Sequence, residues 1–74
     1  MLTITLKIGS QAMDIMVLPN QRISEVLKVL KENKRLFFQT EKMLVYSTRK
    51  KIYVNQLLTF QQAGIYTGDL LVLK

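Results

Sequence analysis

The residues of this chain that could do chemistry are few and scattered. Histidine and cysteine do not occur, so the commonest general base, the thiolate nucleophile and the two commonest transition-metal ligands are missing. The carboxylates Asp14, Glu25, Glu32, Glu41 and Asp69 are spread over the whole length, a spacing that assembles no acid–base pair. Gly9, Gly64 and Gly68 stand singly, where turns explain them, so no glycine-rich loop exists to cradle a phosphate. The inventory argues against an enzyme and leads us to expect no cofactor, metal or small-molecule substrate. A turn before the last strand is the simpler reading of Gly68-Asp69, although the pair could also position a partner.

Charge is the next resource. Eleven Lys and Arg against five Asp and Glu give a formal net charge of +6, attractive to acidic proteins, nucleic acid and anionic membranes alike. Arg49-Lys50-Lys51 is the densest basic cluster, explained either as a solvated turn or as the rim of a site for an acidic partner. Tyr46 and Tyr53 lie near it, but no RNP-like motif accompanies them, so nucleic acid is not the expected partner.

Certain elements must position these groups. The 74 residues, 49% of them apolar, suit one packed domain spanning 1–74. Leu2, Ile4, Leu6 and Ile8 alternate with polar residues, and Met13, Ile15 and Val17 repeat the pattern after the Gly9-Ser10-Gln11 turn, so a β-hairpin is predicted. Ile23, Val26, Leu27 and Leu30 then change the period to that of an amphipathic helix over about residues 22–34, with Asn20 as the expected cap. Lys42 to Ser47 and Lys51 to Val54 read as a second hairpin, and Leu70 to Leu73 as the last strand. Between them Leu57 to Gly64 has the spacing of one helical turn, with Gly64 as its C-cap. The layout is α+β, a mixed sheet with one main helix on one face and the fifth strand parallel to the first.

Strict alternation divides that sheet into two faces. If Leu2, Ile4, Leu6, Met13, Ile15, Val17, Met43, Val45, Leu71 and Leu73 point toward the helix, then Met16, Leu18, Leu44, Tyr46, Leu70 and Val72 point away. Outward positions of a half-solvated sheet are ordinarily polar, so several adjacent apolar ones mark an interaction surface, unless self-association or the chain ends cover them. We therefore expect a protein-binding site centred on Leu44, Tyr46, Leu70 and Val72. Lys42 and Lys51, with Lys7 and Lys74, form its charged rim, and a homodimer is the alternative occupant.

The stretch Met13 to Pro19, then Ile23-Ser24-Glu25-Val26 and Leu30, resembles ubiquitin in apolar spacing and proline placement, as does Phe60-Gln61-Gln62-Ala63-Gly64-Ile65. The resemblance covers the whole chain and implies a ubiquitin-like β-grasp. Leu58, Ala63-Gly64-Ile65 and Gly68-Asp69 followed by Leu71 are more closely similar to the small YukD/EsaB-type ubiquitin-like proteins of type VII secretion systems in Gram-positive bacteria. That family implies a non-enzymatic cytosolic accessory. Its partners would be secretion-machinery proteins: a membrane-associated ATPase, a pseudokinase or a polytopic component. The alternative is a general protein-binding or nucleic-acid-linked regulatory β-grasp module.

Three further expectations follow. The chain has no Gly-Gly tail after Leu73-Lys74, so conjugation is not expected. The N-terminus has neither the basic region nor the apolar run of a signal peptide, and no stretch approaches the ~20 apolar residues of a membrane span. Together with the lack of cysteine, this points to the cytoplasm.

Overall fold

The computed structural model describes residues 1–33 and 44–74. Lys42, Met43, Glu41, Lys34 and Arg35 lie outside the described residues. Five strands and one helix follow in the order β1 (Leu2–Ile8), β2 (Gln11–Val17), α1 (Ile23–Glu32), β3 (Val45–Ser47), β4 (Ile52–Val54) and β5 (Leu70–Leu73). They form one mixed sheet in the spatial order β2-β1-β5-β3-β4. β5 pairs parallel to β1 and antiparallel to β3, which is the β-grasp arrangement expected from the element order.

Alternation decides the core. Ile4, Leu6, Val17, Val45, Leu71 and Leu73 are buried on the face that carries α1, where Ile23 and Leu27 meet them. Phe60, Ala63 and Ile65 from the loop before β5 complete the cluster. Ile15 and Leu30 are only partly buried at its edge. No described helix is long and apolar enough to cross a membrane.

The helix starts differently from the sequence expectation. Asn20 does not cap it; Arg22 occupies the N-cap position, and no side chain hydrogen bonds there. The free N–H groups of Ile23 and Ser24 instead donate to the carbonyls of Leu58 and Gln56, at 3.1 and 3.0 Å. Phe60 N–H and Gln61 N–H donate back to Gln21 O and Pro19 O. A neighbouring loop thus satisfies the orphan donors that a local side chain would otherwise serve.

That loop is itself well specified. Thr59 and Gln62 form a reciprocal capping box, each side chain accepting from the other's backbone N–H at 3.0 Å. One turn later Ile65 N–H donates to Phe60 O and Gly64 N–H to Gln61 O, the paired bonds of a Schellman stop. Gly64 adopts φ +72°, a left-handed conformation that suits glycine, as its expected C-cap role requires. The segment makes a single hydrogen-bonded turn, Ala63 N–H to Thr59 O, without becoming a helix.

Lys51 also departs from expectation. It belongs to the β3–β4 turn rather than to β4, and it carries a positive φ of 59°, closed by its N–H donating to Ser47 O at 2.7 Å.

Candidate protein-binding surface

Each of the four central site residues described above falls on the sheet face opposite α1. Tyr46 pairs across the sheet with Val72 on one side and Tyr53 on the other, and Lys7 pairs with Val72. Leu70 lies diagonal to Tyr46, two residues along β5 from Val72. Leu44 joins the row by exchanging both backbone hydrogen bonds with Lys74, at 2.8 and 2.9 Å. Leu44 is 57% exposed, whereas Tyr46, Leu70 and Val72 are half-buried by their neighbours. The face therefore holds a contiguous apolar half built from β5, β3 and β4.

The other half, on β1 and β2, is polar. Thr3, Thr5 and Lys7 alternate with buried residues of β1, and the Thr5 hydroxyl donates to Asp14 of the facing strand at 2.6 Å. Met16 lies beyond Thr3 at the far edge, and Leu18 follows the end of β2; both are exposed but stand apart from the central cluster.

One contributor, Tyr53, is not among the surface residues expected from the sequence. Tyr53 is 53% exposed and sets its ring edge-to-face against Tyr46, with centroids 5.1 Å apart. The Lys74 ammonium lies 5.1 Å from the Tyr46 ring centre and 5.9 Å from that of Tyr53, inside the range of cation–π attraction. The signal for Tyr53 was present: a short antiparallel hairpin must place one residue of β4 opposite Tyr46. Of the predicted rim, Lys7 and Lys74 border the cluster. Lys51 is exposed at the hairpin turn beside Ile52, and Lys42 lies outside the described residues.

The basic cluster divides between structure and solvent. Arg49 Nε donates to Asp69 Oδ1 at 2.8 Å, its Nη2 reaches Gly64 O, and Lys50 Nζ donates to Ala63 O at 2.7 Å. Asp69 is a buried carboxylate whose second oxygen accepts from Tyr66 N–H at 2.9 Å. Burial alone would raise its carboxyl pKa. The Arg49 hydrogen bond, the Tyr66 N–H and the charges of Arg49 and Lys50 outweigh that effect and leave it below the ordinary carboxylate value. Arg49 is raised in turn, first by that hydrogen bond. Gly68, at φ +92°, and Asp69 thus make the turn into β5, and this polar lock holds the β3–β4 hairpin against the loop before it. The arrangement is structural and builds no reactive pair.

Among the described residues no group of three or more carboxylates or other ligand side chains is placed to hold a metal ion. The apolar half-face instead presents aromatic area, aliphatic area and two ammonium groups, the components of a protein-recognition surface.

No protein-family model and no curated protein matches the chain in sequence. Solved structures do match it in shape. The ubiquitin-like domain of an Arabidopsis thaliana protein superposes with a TM-score of 0.80 at 16% identity, covering 99% of this chain and 74% of that one. The ubiquitin of Caldiarchaeum subterraneum gives 0.74 at 21% identity, covering 97% and 89%. The chain has the ubiquitin fold. A crystal structure of ATBAG1 in complex with HSP70 gives 0.78 at 15% identity, and this chain, covered completely, spans only 40% of that one.

Proposed function

We propose that this ubiquitin-like domain is a non-enzymatic adaptor that binds a protein partner through the apolar half of its outer sheet face. The observation that carries the proposal is the unbroken row Lys7, Val72, Tyr46, Tyr53, with Leu70 and Leu44 beside it, on the sheet face away from the core. Such a surface is costly to leave in water unless a partner uses it. Leu44, Tyr46, Leu70 and Val72 supply the desolvated centre. Lys7, Lys74 and Lys51 supply the charged border, with Lys42 as the further rim residue named from sequence. That a fold neighbour occurs in a complex with HSP70 is consistent with a protein-binding role.

The resemblance of Leu58, Ala63-Gly64-Ile65 and Gly68-Asp69 to the YukD/EsaB type supports a specific setting: the cytoplasmic side of a bacterial type VII secretion assembly. The partner there is a membrane-associated ATPase, a pseudokinase or a polytopic component. Nucleic-acid binding is the weaker reading, because the Lys74 ammonium already sits over both tyrosine rings that would have to stack on bases.

Affinity purification from a native lysate with the wild type and with Leu44→Asp tests both levels. Retention of a secretion ATPase, pseudokinase or polytopic component by the wild type, and its loss by a folded variant, is the expected result. Equal retention by both removes the surface from the proposal. A gene neighbourhood without a secretion ATPase or WXG-motif proteins removes the secretion setting and leaves the adaptor reading standing.

A further inference from the structure

The β4 edge carries a second surface, separate from the centre of the outer face. β4 is an outermost strand, at the end of the sheet opposite β2. Tyr53 lies on the outer face beside Tyr46, so alternation turns its neighbour Ile52 to the α1 side. Both remain in water, Ile52 at 47% and Tyr53 at 53% exposure, so the strand is wet on its two faces and projects edge-on. Leu57, in the turn that follows β4, is 70% exposed.

Cations surround these side chains. Lys50 and Lys51 directly precede Ile52, and both are exposed. Arg49 is neutralised by Asp69, whereas Lys50 gives a single donor to the neutral carbonyl of Ala63 and keeps an uncompensated charge. The helix adds two more. Ser24 N–H reaches Gln56 O in the loop after β4, and Lys28 and Lys31, four and seven residues further on, share the Ser24 side of α1.

Negative charge lies elsewhere. Of the described carboxylates, Asp69 is buried against Arg49, and Asp14, Glu25 and Glu32 are exposed. Asp14 is on β2, at the far end of the sheet. Glu25 and Glu32, four residues before Val29 and three after it, follow the side of the helix where Val29 and Leu30 line a groove with Ile15 of β2. The fold therefore sorts its charge: acidic groups toward β2, ammonium groups and exposed apolar side chains toward β4.

We propose that the β4 edge docks on an anionic lipid surface. Lys50 and Lys51, with Lys28 and Lys31 behind them, meet the headgroup phosphates, while Ile52 and Leu57 enter the apolar boundary and the Tyr53 ring rests at the interface. Charge selects this occupant over a second copy of the chain, which would bring the same unpaired cations against these. Docked edge-on, the domain leaves Leu70 and Val72 clear for a protein partner, and the proposal does not rest on the adaptor reading.

The test is co-sedimentation of the purified protein with vesicles of phosphatidylcholine alone and of phosphatidylcholine with about 30% phosphatidylglycerol. The expected result is binding about tenfold tighter to the anionic vesicles, released by high salt. Lys51→Glu weakens it at least about fivefold, and Leu57→Ser, at a position too exposed to affect folding, weakens it by a similar factor. Asp14→Lys, which adds the same amount of charge at the opposite end of the sheet, changes it less than about twofold. Leu70→Ser on the outer face leaves vesicle binding unchanged, so failure here and failure of the adaptor reading are told apart. Equal binding to both vesicles, no binding to either, or wild-type binding by Lys51→Glu and Leu57→Ser overturns the proposal. A strengthening by Asp14→Lys as large as the loss in Lys51→Glu overturns it in favour of unlocalised net charge. A dimeric sedimenting mass without vesicles that Leu57→Ser or Lys51→Glu dissolves overturns it in favour of a second copy. Shifts of the Lys51, Ile52 and Tyr53 amides by a polyglutamate peptide, without vesicle binding, overturn it in favour of an acidic protein.

Discussion

Leu70 and Leu71 are chemically identical neighbours on β5 with opposite fates. Leu71 is fully buried with Leu73 against Leu27 and Phe60, while Leu70 and Val72 remain half-covered on the outer face. One step along a strand separates a side chain that holds the fold from one that is free to hold a partner. The comparison teaches that apolar content alone assigns no role here; the side of the pleat does.

The comparison breaks first at the core. Leu71→Ala should cost about 2–5 kcal/mol, because it leaves a cavity in the fully buried cluster, and urea or thermal melting will measure it. Ile15→Ala should cost less than Leu71→Ala in the same melts. Sequence periodicity treated Ile15 and Leu30 as full core positions, whereas both line an open groove and are only partly buried.

On the outer face the effect moves from folding to binding. Leu44→Asp should change stability by no more than about 0.5 kcal/mol while weakening the partner complex by about 2 kcal/mol or more, read by calorimetry with the purified partner. Tyr46→Asp is a less clean probe, since Tyr46 is half-buried and packs edge-to-face on Tyr53. A melting temperature for Leu44→Asp as low as that of Leu71→Ala would mean that the two faces carry the fold equally.

Asp69 sharpens the contrast among charged residues. Asp69→Asn should cost about 1–2 kcal/mol at neutral pH through weakened bonds to Arg49 and Tyr66 N–H. Because the folded protein holds this carboxyl below its ordinary value, its contribution is fully present above the unfolded pKa of about 3.9 and is lost as pH falls through the lower folded value. The stability gap between wild type and variant should therefore narrow in acid, and pH-dependent melts will show whether it does. The smallest effect is expected at the border: Lys7→Glu should slow association a few-fold at low salt and have little influence at high salt, measurable by stopped flow.

Much of the fold is legible in the sequence. The alternation in Leu2 to Ile8 and Met13 to Val17 placed both strands and their faces, and the spacing of Ile23, Val26, Leu27 and Leu30 placed the helix. Leu44, Tyr46, Leu70 and Val72 were assigned outward by the same alternation, and the structure puts them on one face. Asn20 misled because a favourable capping residue was available locally, while the groups that cap the helix, Gln56 and Leu58, lie more than thirty residues downstream. Tyr53 was missed because β4 is three residues long and its side of the sheet depends on the turn that precedes it.

By itself, the sequence determined which residues could share a face, because side-chain direction in a strand or helix follows from local backbone geometry. It determined the poverty of catalytic groups, since composition needs no fold to be read. Only the tertiary structure decided how distant segments meet: that Arg49 and Lys50 would be drawn from a basic cluster into bonds with Asp69, Gly64 and Ala63, that Lys74 would lie over two tyrosines, and that β2 would be left at an open edge above a groove. These depend on strand order and register, which are set by the joint burial of side chains far apart in the chain and have no local signature.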